Sequence, residues 1–429
     1  MGSLNVISRY SRVVLVLCLL GAAPSLVAQN YDNPGLGERP VATHPQDFKP
    51  LGVRAGGFML HPGVQLAAEY TDNVFYTASD TVSDTVWHVR PYLSAQSNWS
   101  RHSFNVRLAA DIARYDDFSF RDYEDYFLLI NGRVDVQTQS YFSYSADYMR
   151  LHEDLSNRDA EQGAEPTTYE MMGGSLGYDH TFNRLSVGVD YAYRKLDFDD
   201  VLSLDGEVID NRDRDRGQEN LTLDMGYQFQ SDKQAFLSLS SRDVSYDQPF
   251  DRNGYRRDNS GWNASAGLAF AITNLLDGRV FATYHDNSYD DPRLNGLSGW
   301  AGGLSLSWIP TRRTSVGASI SSSVQETTYE FASGYLSMLY SLRVDYELLR
   351  DLQLSGRVSY RDNQYKLTNN APVGAREDDS IWQAGLGLSY FVNRHIFLSA
   401  SYNWQQLDSN VAADGFEVNR LWLTLSFER

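Results

Sequence analysis

Lysine is almost missing from this chain: of 37 basic residues only Lys49, Lys195, Lys233 and Lys366 are lysine, and the rest are arginine. Acids outnumber bases at 55, for a formal net charge of -18. That balance argues against nucleic acid as a partner, because phosphate binding needs net positive patches. Cysteine occurs once, at Cys18, which leaves the rest of the chain without disulfides or thiol chemistry. Proline is scarce, at 12 residues. No apolar run approaches the roughly 20 residues that a membrane helix requires, so crossing a bilayer by helices is excluded.

What the chain does contain is tyrosine (28), phenylalanine (20), tryptophan (8) and glycine (32) over 429 residues, the composition of a large β protein. At the N-terminus Arg9 and Arg12 precede a short apolar core, Val13 to Ala23, and Ala28 closes a small-residue cleavage site before Gln29. This is the pattern of a Sec-type signal peptide over residues 1–28. Leu17 is too large for a lipoprotein cleavage site before Cys18, so lipidation is not expected. Residues 29–55, rich in Pro, Asn, Asp and Gly and without periodicity, read as a flexible periplasmic extension.

From residue 56 to 429 one pattern repeats: runs of alternating apolar and polar residues, separated by turn clusters. Phe104, Val106, Leu108, Ala110 and Ile112 interleave with Asn105, Arg107 and Asp111; Leu185, Val187, Val189, Tyr191 and Tyr193 with Ser186, Asp190 and Arg194. Period 2 makes one strand face apolar and the other polar. The connections alternate between two classes. Short turns lie near Trp99 to His102, Thr138 to Ser140, Phe182 to Arg184, Ser231 to Lys233, Asn274 to Gly278, Thr311 to Thr314, Leu349 to Asp351 and Val392 to Arg394. Longer charged connections, such as Asp154 to Pro166, Asp199 to Asp215, Asp247 to Tyr255 and Thr368 to Arg376, fall between them. Short periplasmic turns alternating with longer outer loops are the signature of a transmembrane antiparallel up-and-down β-barrel. The count predicts an all-β fold of about eighteen strands with both termini periplasmic. A propeller would repeat itself about every 40 residues, and no such repeat occurs. Aromatic residues at run ends (Trp87, Tyr92, Trp99, Tyr115, Tyr126, Tyr178, Phe182, Trp308, Tyr390, Phe391) suggest the two girdles of a membrane barrel. The last run, Leu421, Leu423, Leu425 and Phe427, has the alternating apolar residues and late aromatic that barrel assembly machinery reads.

Several segments carry a resemblance to a known family: Asp72-Asn73-Val74-Phe75, Trp99-Ser100-Arg101-His102, Arg114-Tyr115-Asp116-Asp117-Phe118, Asp122-Tyr123-Glu124-Asp125-Tyr126, Leu151-His152-Glu153-Asp154, Glu165-Pro166-Thr167-Thr168-Tyr169 and Tyr193-Arg194-Lys195-Leu196-Asp197-Phe198. Together they resemble the putative β-barrel porin 2 family of outer-membrane proteins linked to exopolysaccharide biosynthesis and export. The resemblance is strongest from about Gly57 to Val201. It implies a secretion channel for an extracellular polysaccharide, working with a periplasmic export protein that lacks its own outer-membrane pore.

The polar strand faces are the candidate functional surface. With apolar residues toward lipid and lipopolysaccharide, the lumen would receive Arg107, Asp111, Arg133, Asp135, Asp147, Asp190, Arg194, Asp224, His285, Arg343, Asp345, Arg357 and Arg361. Charges of both signs on facing walls set a transverse field and bind water. Arginine forks also suit sugar hydroxyls, although a genome that prefers arginine codons explains the bias equally well. Histidines are available for catalysis, yet none lies in a recognisable nucleophile motif, so an enzyme is not expected. The acids of Asp199 to Asp215 match no calcium loop and alternate with Arg212, Arg214 and Arg216, which reads as a salt-bridged surface loop and not a metal site. No Gly-rich phosphate loop or cofactor signature is found. The alternative is a diffusion porin for small solutes, in which Asp199 to Asp215 would fold inward as the constriction.

Overall fold

The computed structural model describes residues 48–157, 159–160, 163–273 and 275–429. The expected signal peptide, residues 1–28, and residues 29–47 of the expected extension lie outside the described residues. Among the described residues eighteen long strands follow one another in chain order: β1 Phe58–Thr71, β2 Asp84–Ser97, β3 Ser103–Tyr115, β4 Tyr123–Gln137, β5 Ser140–His152, β6 Thr168–Phe182, β7 Leu185–Phe198, β8 Arg216–Gln230 and β9 Lys233–Tyr246. The second half continues with β10 Asn259–Thr273, β11 Leu276–Tyr289, β12 Leu297–Thr311, β13 Thr314–Glu326, β14 Ala332–Leu349, β15 Leu352–Leu367, β16 Asp378–Phe391, β17 Ile396–Ser409 and β18 Phe416–Glu428.

Each strand pairs antiparallel with the next, and β18 returns to β1 from Gly63↔Glu428 to Thr71↔Arg420. Closure matters energetically. In hydrocarbon an unpaired backbone group costs several kcal/mol, and a closed ring leaves no edge. All eight short turns fall where the turn residues predict them, and register shifts just before five of them, as at Gln228/Gln230 and Glu347/Leu349, tighten the local twist. The strands begin and end on the rim that carries these turns, the periplasmic rim by the short-turn rule.

Register fixes which side chains point outward. Leu108, Tyr126, Leu176, Val189, Leu221, Leu239, Leu354, Leu398 and Leu423 are exposed on the outer wall. Their neighbours in sequence face inward. The outer aromatics fall at two heights. Trp87, Tyr126, Trp262, Tyr284 and Trp300 mark the loop side, and Trp99, Phe182, Trp308 and Tyr390 the turn side. Three of the aromatics expected in the girdles are not there. Tyr92 pairs with inward Ala109, Tyr115 with inward Val86, and Phe391 is 1% exposed against Phe397. Their parity, not their place at a strand end, decides their side.

The end of the N-terminal extension is ordered against the barrel. Val53–Ala55 pairs with the start of β1 through a turn in which Gly56 takes a positive φ of 59°, a conformation that glycine adopts without strain. Phe48 then sits 5.7 Å from inward Phe391, ring centre to ring centre, just inside the periplasmic rim.

Candidate functional site

The register places all thirteen sequence-predicted lumen residues at inward positions. They do not form one cluster. Arg133 pairs with Asp135 at 2.8 Å and Arg343 with Asp345 at 2.8 Å, each along its own strand. Arg194 on β7 reaches Asp147 on β5 at 3.5 Å by crossing over Gly173 of β6, the cross-strand partner of both. A Cβ at Gly173 would strike the Asp147 carboxylate, so the glycine is what lets the pair meet. Arg107 is exposed to the interior, with its guanidinium over the Tyr92 ring. Asp190, Asp224, Arg357 and Arg361 occupy other stretches of the same wall. Asp111 and His285 are buried, at 1% and 8% exposure, and are held by neighbours in place of facing a passing solute.

A second set of inward residues was not singled out in the sequence. At mid-height, hydroxyls and amides pair across neighbouring strands around much of the ring. Ser145 meets Ser175 at 2.8 Å, Ser240 bonds Asn220 at 2.7 Å, Ser265 meets Thr283 at 2.7 Å, Ser319 meets Ser341 at 2.7 Å and Ser359 bonds Gln383 at 3.1 Å. This is a neutral belt of donors and acceptors, with the charge pairs above and below it. Each residue looks like ordinary strand polarity alone. Writing out the inward residue nearest each strand's centre would have shown the belt.

The loop-side mouth is narrowed. The connection from Glu153 to Thr167, between β5 and β6, folds over the interior. Glu153 accepts a bond of 2.9 Å from Arg214 of the β7–β8 connection, with both side chains buried. Asp154 accepts from Tyr76 at 3.3 Å, and Ala164 donates to the Leu202 carbonyl at 2.7 Å. Asp159 accepts from Thr327 at 2.8 Å. Thr327 belongs to the β13–β14 connection, eight strands around a ring of eighteen. At ~4.8 Å between strands and ~40° of tilt such a ring is about 35 Å across, and the bond forms because the Thr327 segment has itself come inside the ring, beside Asn259 of β10. Arg257 of the β9–β10 connection anchors that connection by donating to the Thr327 and Ala332 carbonyls at 2.8 and 3.0 Å. Glu153 to Thr167 and the β13–β14 connection thus meet over the interior. The Asp199 to Asp215 connection packs beside the first of these, with Val201–Leu202 and Val208–Ile209 forming a small hairpin.

One quadrant of the mouth is filled by an ionic network. Asp111 accepts from Arg90 at 2.8 Å and contacts His88 at 3.0 Å, and His88 reaches Glu69 at 3.3 Å. Above it Arg420 lies over the Tyr76 ring. Burial opposes ionisation of Asp154, yet the Arg420 charge outweighs it and holds that carboxyl below its usual range. The free space between Glu69, Tyr76, Asp154 and Arg420 is only ≈ 40 Å³.

A barrel of eighteen strands with a polar interior and a loop folded into its mouth is the architecture of a porin. The family model for putative beta-barrel porin 2 matches residues 44–429. The chain belongs to that family. No match was found among curated proteins. Similar solved structures include OccK3 (OpdO) of Pseudomonas aeruginosa, with 16% identity, a TM-score of 0.44 and coverage of 86% of this chain and 95% of that one. Pseudomonas aeruginosa OpdL has 13% identity and a TM-score of 0.44, covering 87% and 99%. The siderophore receptor PirA of Acinetobacter baumannii has 7% identity and a TM-score of 0.46, covering 86% and 80%.

On this porin-like barrel the outer rim also carries an acidic trio. Carboxylate oxygens of Asp197, Asp215 and Asp247 lie within 4.8 Å of one another. Lys195 contacts Asp247 at 2.5 Å and Asp197 at 3.3 Å, so the trio already has its cation. Burial, helped by the two neighbouring acids, pushes the Asp215 carboxyl up to about 6. A raised carboxyl favours the folded rim when protonated, so that stability is present in acid and is lost as pH rises through about 6. Protease nicking of the Asp199 to Asp215 connection is therefore expected to be slower at pH 5 than at pH 7. Asp215→Asn, which keeps an oxygen for the Phe198 N–H, is expected to remove the difference; a variant with the same pH response would refute the assignment.

Proposed function

We propose that this outer-membrane porin-like barrel is the exit channel for an extracellular polysaccharide, delivered by a periplasmic export protein. The observation that carries the reading is the mid-height belt of paired hydroxyls and amides. A sugar chain presents donors and acceptors along its whole length. A wall of neutral groups of the same kind exchanges weak bonds with it at each step and holds it nowhere, which permits conduction. Charge pairs such as Arg133–Asp135 and Arg343–Asp345 largely neutralise themselves along their own strands, which suits a hydrated polymer better than a small ion. The drive comes from synthesis and from inner-membrane partners. Partners at the periplasmic rim would meet the ordered end of the extension, where Phe48 docks on Phe391.

A diffusion porin for small solutes is the second reading, favoured by one observation: the Glu153 to Thr167 loop reaches over the mouth to the β13–β14 connection, as a size-selecting constriction would. A clean deletion strain separates the two. The export reading expects loss of surface polysaccharide with unchanged uptake of small solutes. Normal polysaccharide with reduced solute uptake would overturn it in favour of the diffusion porin.

A further inference from the structure

The ring is hydrogen-bonded at every junction, but one ladder stops early. Between β12 and β13 the pairs run from Trp308↔Val316 to Leu304↔Ile320 and end there, although both strands continue toward the loop side. Every other junction extends closer to the outer rim. The reason is visible on β13. Its positions of lipid-facing parity are Val316, Ala318 and Ile320 up to the last pair, and then Ser322, Val324 and Glu326. Those two polar residues do not face lipid. Ser322 meets inward His285 of β11 at 3.0 Å, and Glu326 accepts from inward Asn259 of β10 at 3.1 Å. The upper half of β13 has therefore left the wall and lies against the inside of β9–β11.

The departure frees one edge of β12 from Leu297 to Gly303. That edge carries Gly299, Gly302 and Gly303, and a Cβ added at Gly299 or Gly302 would meet nothing within 4 Å. Trp300 is 73% exposed, against 49% for Trp262 two strands away in the same girdle, because its β13 neighbour is gone. The seam runs from the outer girdle about three residues toward the midplane. Unpaired N–H and C=O groups at that depth cost several kcal/mol each unless something bonds them.

We propose that the β12–β13 seam is a lateral binding slot for an outer-leaflet amphiphile. The hydrogen-bonding head group enters between the strands and satisfies the freed β12 edge, with Ser321 and Ser323 behind it. The acyl chain stays in the bilayer against Trp300 and Ile320. The occupant is a lipid and not another protein's strand. The slot is short, reaching only about three residues inward from the girdle, too little for a strand ladder, and Ser321 and Ser323 line its inner wall with hydroxyls that suit a polar head group. The inference does not depend on the cargo of the lumen.

Single-cysteine chains in a Cys18→Ser background, labelled with a fluorophore and reconstituted in liposomes with acyl-brominated phospholipid, test this. Gly299→Cys is inward by register. It is expected to be quenched nearly as strongly as lipid-facing Leu304→Cys, while inward Ser145→Cys on the far wall stays bright. Ser321→Cys serves as a second position should Gly299→Cys not give a folded, heat-modifiable barrel. A disulfide is expected between Ser305→Cys and Ser319→Cys, which form a rung, and not between Gly303→Cys and Ser321→Cys, which would form the next. Quenching at Gly299 and Ser321 no greater than at Ser145, ready closure of the Gly303–Ser321 disulfide, or cross-linking of Gly299→Cys to a protein in whole cells would each overturn the proposal.

Discussion

Replacing Asp154 to Pro166 with a two-residue Asn-Gly turn raises the single-channel conductance several-fold. The expectation follows from where that connection goes. It leaves β5 at the wall, is held by the buried Glu153–Arg214 pair, and meets the inward-folded β13–β14 connection over the interior at the Asp159–Thr327 bond. Without it the interior behind the mouth, lined by the neutral belt and the charge pairs, opens to solvent. The barrel itself should survive, because closure of the ring depends on strand ladders to which this loop contributes nothing. An Asn-Gly turn also suits a two-residue hairpin. Breaking only the far anchor, with Thr327→Val, is expected to give intermediate, flickering currents. Planar-bilayer recording checks both, and unchanged conductance in the loop replacement would show that the mouth is not the narrow point.

The second large effect is on stability. Asp111→Ala is expected to destabilise the barrel by ~3–5 kcal/mol, because it removes the carboxylate paired with buried Arg90 and one of the two carboxylates at His88. Replacing the group together, as His88→Leu, Arg90→Met and Asp111→Leu, should recover most of that loss, since a buried ionic cluster is often no more stable than a well-packed apolar one. Urea unfolding followed by heat-modifiable gel migration reads both. A single variant as stable as the parent would mean that water, not Asp111, compensates Arg90.

Much of this barrel was legible in the chain because one rule covers it. Apolar residues such as Leu221, Leu223 and Met225 can alternate with Thr222 and Asp224 only if one face meets lipid and the other does not. The short turns then count the strands. What stayed hidden depends on height and on contacts between distant loops. Tyr92, Tyr115 and Phe391 lie near rims in sequence but point inward, because parity outranks position. The Asp199 to Asp215 connection looked like the constriction because it is long and charged. Glu153 to Thr167 reaches over the interior beside it, because its acids find Arg214, Tyr76 and Thr327 on three other connections. The neutral belt was masked by the louder charged residues around it. The seam leaves one readable trace on β13, where Ser322 and Glu326 stand on either side of Val324 in the register that Val316, Ala318 and Ile320 hold toward lipid.

The account stands on a membrane-spanning wall with lipid on one face and an aqueous polar lumen on the other. A cysteine scan of β4 tests it most directly, using a membrane-impermeant thiol reagent on the protein in liposomes. Labelling is expected at Leu129→Cys, Asn131→Cys and Arg133→Cys and absent at Leu128→Cys, Ile130→Cys and Val134→Cys, which should instead be shielded by lipid. Uniform labelling along the strand, or labelling of the opposite set, would contradict the account.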